Sequence, residues 1–251
     1  MTIEESLVSV QVPEGQMSVL RYAQGTKEIQ PSLILVHDAY GLTEANKALA
    51  RQLAADGFFV SAPDMFHRAG KMLTSSSSVP YEEQLKIRRG MTNQGHVSDI
   101  QALTDFLRRE SGPDERIGIV GFCLGGRVTF LAATNHTGVD AAAAFYPTRL
   151  TQSDPAIPGS EMPIDNAGEL DTPLLAFFPG LDAMNPADNI RAVVDTLARA
   201  KHPAETVVLN DADHGFYQPK SPGYHPIRAA EAHARILEFF RKHLGQGHET
   251  T

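Results

Sequence analysis

The sequence Gly-Phe-Cys-Leu-Gly-Gly at residues 121–126 restricts the fold of this chain more than any other segment. An apolar, strand-like run precedes it and a helix-like run follows it. A strand that turns directly into a helix strains the residue at the turn, and side chains two residues to either side would collide there. Gly121 and Gly125 remove that collision, and Gly126 lets the helix approach the sheet. The segment therefore predicts a sharp strand-to-helix turn with Cys123 at its tip.

Strand-like and helix-like segments alternate along most of the chain. Apolar runs and alternating patterns predict strands at residues 7–12, 17–22, 33–36, 58–62, 116–121, 141–145, 174–178 and 206–209. Apolar residues at helical spacing predict helices at residues 43–56, 81–110, 124–133, 187–200 and 228–244. The second helix carries Gly90 and Gly95, at either of which it could break. The pattern favours an α/β fold: a mostly parallel central sheet with helices on both faces and an N-terminal antiparallel hairpin.

Length and patterning indicate one domain. The chain has 251 residues, 42% hydrophobic and 21% charged, a balance typical of a folded domain with a sizeable core. No internal repeat interrupts the pattern. We expect a single domain over residues 1–245 and a flexible C-terminal tail at 246–251. We also expect an irregular segment at residues 148–171, which is either a lid or a surface excursion.

Charge and composition argue against several classes of protein. Acidic residues outnumber basic ones by 30 to 22, and the resulting net charge of −8 repels the phosphates of nucleic acid and of anionic membranes. No apolar run approaches the ~20 residues of a membrane-spanning helix. The N-terminal segment MTIEESLVSV carries acids where a secretory signal has bases. The single cysteine cannot form an internal disulfide. We therefore expect a cytoplasmic protein that binds neither nucleic acid nor membrane.

Three reactive residues each come directly after a predicted strand. Right-handed crossovers place the loops after parallel strands along one edge of the sheet, where ligands usually bind. Cys123, Asp182 and His214 should therefore meet at that edge. Their chain order of nucleophile, acid and histidine is that of the α/β-hydrolase triad. The sequence predicts the thiol as nucleophile, the imidazole as its base and Asp182 as the carboxylate that orients the imidazole.

Other acids compete for the place of the orienting carboxylate. They are Asp171, Asp188, Asp211 and Asp213. Asp171 precedes its predicted strand and so belongs to the opposite edge of the sheet. Asp211 and Asp213 lie on the same loop as His214 and could contact it only locally. Asp182 is the candidate that follows a separate strand.

A triad of this kind needs backbone N–H groups that stabilise a negatively charged oxygen. Leu124 begins the helix that follows the nucleophile, and its N–H is the first expected donor. The second donor should come from the loop after the strand at residues 33–36. That loop, at residues 37–41, reads His-Asp-Ala-Tyr-Gly.

Other interpretations stay open. Cys123 could be an inert core residue, although a core cysteine does not need flanking glycines. The chain could be a glutamine amidotransferase or a cysteine peptidase, but an amidotransferase has glutamate two residues after its histidine, where this chain has Phe216. It could also be a non-catalytic binding protein on a hydrolase scaffold.

No motif indicates a metal or a cofactor. His37, His67 and His96 are scattered, and no spacing matches a metal motif such as H-E-x-x-H. No glycine-rich phosphate-binding loop is present in the sequence. We expect neither a metal nor a cofactor.

Several blocks of sequence together resemble the dienelactone hydrolase (carboxymethylenebutenolidase) family. They are residues 37–41, Ala-Pro-Asp-Met-Phe at 62–66, the turn at 121–126, Gly-Leu-Asp at 180–182 and His-Gly-Phe at 214–216. The resemblance implies a single-domain α/β-hydrolase fold without a cofactor. It also implies hydrolysis of a small lactone or ester through a thioester on the cysteine. The oligomeric state, monomer or dimer, is left open.

The resemblance further implies roles for the loop after the third strand. It places the second oxyanion donor at the N–H of Ala39. It places at Asp38 the acid, usually glutamate in the family, that contacts the nucleophilic cysteine. Because Asp38 is one methylene shorter than glutamate, we expect it either to modulate Cys123 or to lie on the substrate side.

The substrate pocket is less well defined by sequence. The family's arginine shortly after the histidine has no counterpart in residues 216–218, which read Phe-Tyr-Gln. Arg88 and Arg89 are the nearest alternatives for holding a substrate carboxylate. Aromatic residues near strand ends are expected to line the pocket, and these are Tyr40, Tyr146, Phe216 and Tyr217.

Overall fold

An eight-stranded sheet forms the centre of the described part of the chain. The computed structural model describes residues 2–26, 30–70, 72, 81–153, 161–202 and 204–245. The strands are β1 (Ile3–Val12), β2 (Gly15–Gln24), β3 (Ser32–Val36), β4 (Phe59–Pro63), β5 (Ile117–Phe122), β6 (Ala141–Phe145), β7 (Leu174–Pro179) and β8 (Glu205–Leu209). Their order across the sheet is β1-β2-β4-β3-β5-β6-β7-β8.

Most of the sheet is parallel. The run β4-β3-β5-β6-β7-β8 is parallel throughout. β1 and β2 form an antiparallel hairpin in which Val12 lies opposite Gly15, and β2 joins β4 antiparallel. Gly15 has a φ of 125°, in the left-handed region that favours glycine. The predicted sheet with its N-terminal hairpin is confirmed.

Helices pack on both faces of this sheet. In the described ranges they are α1 (Glu44–Ala55), α2 (Tyr81–Arg89), α3 (Asn93–Ser111), α4 (Leu124–Ala133), α5 (Ala187–Leu197) and α6 (Pro226–Leu244). The helix expected at residues 81–110 is divided into α2 and α3, with the break at Gly90 rather than at Gly95. The break occurs there because Thr92 caps α3, accepting a hydrogen bond from the N–H of Gly95 at 2.9 Å.

The core has two layers, one on each side of the sheet. Ile34 and Val36 of β3 pack into the layer that contains α3, α4 and α5. Leu33 and Leu35 pack into the layer that contains α1 and α6. Every residue of β3 is buried, as its continuous apolar run predicts for a central parallel strand.

The whole of the expected tail, residues 246–251, lies outside the described residues, as do residues 154–160 of the expected irregular segment. Within the rest of the irregular segment, a short 3₁₀ helix spans Pro163–Glu169. Ala167 and Leu170 are buried in the core there. No helix in the described part of the chain is long and apolar enough to cross a membrane.

The first turn of α4 lies in direct backbone contact with the sheet. A Cβ on Gly121 would lie 2.2 Å from the carbonyl oxygen of Gly125, and one on Gly126 would lie 2.6 Å from that of Phe145. Both distances are far shorter than a van der Waals contact, and a backbone oxygen cannot rotate away as a side chain can. Glycine is therefore required for α4 to begin at this point.

Gly126→Ala should destabilise the fold through this contact. We expect the free energy of unfolding to fall by about 1–3 kcal/mol, the usual cost of forcing extra atoms into a packed core. Urea unfolding measures the change. Gly168→Ala is the matched control, because a Cβ there meets nothing within 4 Å. We expect its effect to stay within about 0.5 kcal/mol. Equal stability of the two variants would contradict the close packing of α4.

Candidate active site

Cys123 occupies the tip of the predicted turn between β5 and α4. Its φ of 57° and ψ of −112° lie in a region that residues with a side chain rarely adopt. Its N–H donates to the carbonyl of Phe145 at 3.1 Å, and its own carbonyl accepts from Arg127 N–H at 3.1 Å and Thr148 N–H at 3.3 Å. The residue is half-buried. These backbone bonds hold the cysteine in its strained conformation at the carboxyl edge of the sheet.

The loops after β7 and β8 bring Asp182 and His214 together. Nδ1 of His214 lies 2.8 Å from Oδ2 of Asp182. The Asp182 side chain is fully buried and accepts two further bonds, from Met184 N–H at 2.8 Å and from the Asn185 amide at 2.9 Å. His214 also lies close enough to the Cys123 side chain for the cysteine to raise the pKa of the ring. Sulfur, imidazole and carboxylate are therefore neighbours and form a row.

The pKa values of this row depend on its hydrogen bonds. Burial by itself would lower the pKa of His214, but the bonds and charges of Asp182 and Cys123 outweigh it and raise this pKa to about 10. Burial would raise the pKa of Asp182, but the His214 and Asn185 bonds and the charge of the imidazolium hold it below its ordinary value. At neutral pH, the ring is an imidazolium beside a carboxylate.

The competing acids have other partners. Asp171 contacts His136 at 2.6 Å, and Asp188 lies near Arg191. Asp211 forms an ion pair with Arg228. Asp213 accepts a hydrogen bond from the backbone N–H of His214 and not from its ring. Among the described hydrogen bonds of the His214 ring, the carboxylate partner is Asp182. The geometry thus favours Asp182, as the sequence argument does.

The two expected oxyanion donors follow the carboxyl ends of two adjacent strands. β3 and β5 are paired so that Val36 lies opposite Gly121, and a Cβ on Gly125 would lie 2.3 Å from the Val36 carbonyl oxygen. Leu124 is the first residue of α4, so its N–H has no acceptor within the helix. The N–H of Ala39 makes no hydrogen bond with any residue that the structure describes. Both groups are therefore available at the same edge.

The Asp38 carboxylate holds its own loop to α1 and to the loop that carries His214. It accepts from Tyr40 N–H at 2.8 Å, from the Gln218 amide at 3.0 Å and from the Asn46 amide at 3.3 Å. In the described part of the chain none of its hydrogen bonds goes to Cys123. Sequence reasoning missed Gln218 and Asn46 as partners. Gln218 lies four residues after His214, in the segment where the family has an arginine. This position is the one feature of the sequence that could have indicated a role for Gln218 near the site.

Tyr146 lies against the imidazole. Its ring meets that of His214 edge-on with 4.8 Å between centroids, and its φ is 37°. The side chain is fully buried, and the hydroxyl has no hydrogen-bond partner among the described residues. Burial, together with the nearby Cys123 and Asp38, raises the pKa of Tyr146 well above its ordinary value, so the hydroxyl keeps its proton.

The remaining residues expected in the pocket differ in exposure. Phe216 and Tyr217 are buried in an aromatic cluster, where Tyr217 stacks on Phe122 at 5.2 Å and its hydroxyl lies 2.6 Å from Nδ1 of His233. Tyr40 is 48% exposed. Arg88 has a partner within the protein, and the side chain of Arg89 is outside the described part. Within the described residues no three histidine, cysteine or acidic side chains are placed to hold a metal.

Comparisons with known proteins found a matching family model, named relatives and similar solved structures. A sequence model described as "Dienelactone hydrolase family" matches residues 20–244. The chain is 30% identical over 216 residues to a protein named "Putative carboxymethylenebutenolidase" from Escherichia coli O157:H7, covering 86% of this chain and 78% of that protein. It is 28% identical over 222 residues to "Carboxymethylenebutenolidase" from Rhodococcus opacus, covering 86% and 82%. The crystal structure of "Putative Dienelactone Hydrolase" from Klebsiella pneumoniae superposes with a TM-score of 0.86 at 25% identity, covering 96% of this chain and 100% of that chain.

Asp182→Asn should lower the pKa of His214 from about 10 toward its ordinary value of 6.5. The amide has nearly the same shape but lacks the negative charge that stabilises the imidazolium. NMR titration of the His214 ring measures the change. Asp171→Asn, which alters the His136 pair elsewhere, is the matched control and should leave the His214 titration unchanged. An unaltered titration in Asp182→Asn would rule out this carboxylate as the cause.

The same hydrogen bond should stabilise the fold over a limited pH range. Because the pKa of His214 is raised, its contribution is fully present below pH 6.5 and is lost as the pH rises through about 10. Because the pKa of Asp182 is lowered, its contribution is lost in acid as the carboxylate protonates. At neutral pH, the free energy of unfolding of wild type should therefore exceed that of Asp182→Asn. Urea unfolding at several pH values should show this difference shrinking in acid and again above about pH 10.

Proposed function

The chain belongs to the dienelactone hydrolase family and is therefore an ester or lactone hydrolase, and we propose a mechanism for it. In this mechanism Cys123 performs the hydrolysis together with His214 and Asp182. The observation that carries the proposal is the hydrogen bond between His214 and Asp182, beside a cysteine at the tip of a strained turn that is close enough to raise the pKa of His214. Each member of the row comes from a different loop at the carboxyl edge of the sheet, where substrates of α/β proteins bind.

The proposed reaction proceeds through a thioester. The thiol gives its proton to the His214 ring before Sγ attacks the carbonyl carbon of the lactone or ester. His214 then gives its proton to the leaving oxygen as the C–O bond breaks. In a lactone that oxygen stays attached to the acyl group, so a single product forms.

Water completes the proposed cycle. It attacks the thioester carbon and gives a proton to His214, and the C–S bond breaks to release the carboxylic acid. Asp182 holds Nδ1–H of the ring throughout, so that Nε2 faces the sulfur and the reacting oxygen. The 2.8 Å distance between Nδ1 and Oδ2 supports this role.

Two backbone N–H groups complete the proposed site. Each addition step puts a negative charge on the carbonyl oxygen, and fixed donors stabilise that charge in the transition state. We assign the donors to Leu124 and Ala39. Neither N–H makes another hydrogen bond within the described residues, and the two groups follow adjacent strands, β5 and β3, which supports the assignment.

Tyr40 and Tyr146 are the aromatic residues that we propose for the substrate pocket. The Tyr146 hydroxyl is buried beside His214 without a partner, so it can donate to a substrate oxygen. Phe216 and Tyr217 support the pocket from beneath through the aromatic cluster. The amidotransferase alternative lacks support, since the position of its glutamate is the fully buried Phe216.

Cys123→Ala should abolish turnover of an activated aryl ester. We expect kcat to fall by about 10³-fold or more, because the nucleophile is lost. Cys123→Ser should also lose most activity, since a serine hydroxyl is a weaker nucleophile at neutral pH. A screen of dienelactones, aryl esters and larger lactones with all three proteins gives the substrate range. Mass spectrometry of wild type during turnover should detect an acyl adduct on Cys123.

Thermal melting of the variants provides the control for folding. A Cys123→Ala protein that melts as wild type does and still hydrolyses the ester would disprove the proposed nucleophile. Two results together would point instead to direct attack by water. They are turnover by wild type without an adduct on Cys123 under rapid quenching, and undiminished activity of Cys123→Ser.

Tyr146→Phe should separate packing from substrate binding. Removing a buried hydroxyl without a partner should leave the free energy of unfolding unchanged or raise it by about 1 kcal/mol. If the hydroxyl serves the substrate, kcat/KM should fall about 3- to 10-fold, the value of one hydrogen bond. Tyr22→Phe, a buried tyrosine of β2 that bonds Glu5, is the control and should retain full kcat/KM. Full activity of Tyr146→Phe would restrict Tyr146 to packing.

A further inference from the structure

We propose that His37 is a positioning residue that sets the direction of the Ala39 N–H. This inference rests on the proposed function, in which that N–H is the second oxyanion donor. His37 follows β3 directly and is buried, with 1% of its surface exposed. Neither the triad nor the substrate pocket uses its side chain.

The imidazole of His37 bridges two loops. Its Nδ1 lies 2.7 Å from the carbonyl oxygen of Asp38, and its Nε2 accepts a hydrogen bond from the N–H of Met65 at 3.1 Å. Since Nε2 must accept from a backbone N–H, the proton is on Nδ1, and the ring donates it to the Asp38 carbonyl. Burial lowers the pKa of His37, so this neutral form persists at physiological pH.

The bonded carbonyl belongs to the peptide unit that carries the proposed donor. The Asp38 C=O and the Ala39 N–H are parts of one planar group, and the structure holds no cis peptide bond in its described part. In a trans peptide the C=O and N–H point in opposite directions. A ring that holds the carbonyl on one side therefore directs the Ala39 N–H to the other side.

The loop after β4 keeps the ring in place. The Asp64 carboxylate accepts from Phe66 N–H at 3.0 Å, which fixes the turn that presents Met65 N–H. The Phe66 ring packs on the imidazole with 4.7 Å between centroids. β4 pairs with β3 in parallel, so both loops leave the same edge of the sheet. The orientation of His37 is thus set by residues outside the triad.

A second contact also reaches the Asp38 carbonyl. The N–H of Gly41 donates to it at 3.3 Å, closing a turn within the same loop. This bond is longer than the 2.7 Å contact of His37. If the turn alone held the peptide, loss of the imidazole would not affect catalysis. The two possibilities make different predictions for variants of His37.

His37→Asn and His37→Leu form a matched pair. Asn and Leu have the same branched shape and the same number of side-chain heavy atoms, and neither side chain is long enough to place an acceptor at the position of Nε2 for Met65 N–H. Both variants therefore lose that hydrogen bond. Only Asn keeps an N–H group near the position of Nδ1 that can donate to the Asp38 carbonyl. For an aryl ester, we expect His37→Leu to lower kcat about 10- to 100-fold with KM nearly unchanged. His37→Asn should recover most of that loss.

Alkylation of Cys123 by iodoacetamide separates this inference from the proposed function. That reaction displaces iodide and forms no oxyanion, so its rate depends on the sulfur and not on the Ala39 N–H. We expect wild type, His37→Asn and His37→Leu to alkylate at the same rate. Equal kcat for the two variants would overturn the inference, as would a parallel loss of kcat and alkylation rate in His37→Leu. Full activity of Cys123→Ala would instead overturn the proposed function.

Discussion

Close backbone contact between the end of β5, the start of α4 and the end of β3 determines the geometry around Cys123. A Cβ on Gly125 would lie 2.3 Å from the Val36 carbonyl oxygen, and one on Gly121 would lie 2.2 Å from that of Gly125. Because these backbones touch, the chain must turn within one residue, and Cys123 takes a φ of 57°. The same turn leaves the Leu124 N–H without an acceptor in the helix and places Cys123 at the edge where the loops after β7 and β8 begin.

Side-chain hydrogen bonds then fix the loops that the sheet does not hold. Asp38 joins the loop after β3 to Gln218, which lies on the His214 loop. His37 joins the same loop to Met65 after β4. Hydrogen bonds buried in a medium of low dielectric constant are stronger than those in water, so these contacts can hold peptide groups in fixed directions before substrate arrives. Donors that are fixed in advance do not need to reorganise when charge develops on the substrate.

Sequence patterns predicted the elements whose causes are local. Residues 124–133 and 141–145 have the predicted bounds, because a glycine-flanked turn and a short apolar run each define their own ends. The residues of the proposed row could be selected because chain order and strand ends determine which loops meet. The partners of Asp38 and the contact of His37 could not be selected, because they depend on side-chain conformations in loops from distant parts of the chain. The break at Gly90 depended on the Thr92 cap, which helical periodicity does not register.

The raised pKa of His214 constrains the order of proton transfers in the proposed reaction. With a pKa of about 10, the ring already carries its second proton at neutral pH and cannot accept another from the thiol. In the proposed reaction, the His214 ring therefore enters acylation already protonated. The first chemical task of His214 becomes protonation of the leaving oxygen, and it acts as a base only afterwards, toward water. Asp182 therefore contributes before the first bond forms, since it keeps the proton on the ring that the leaving oxygen will need.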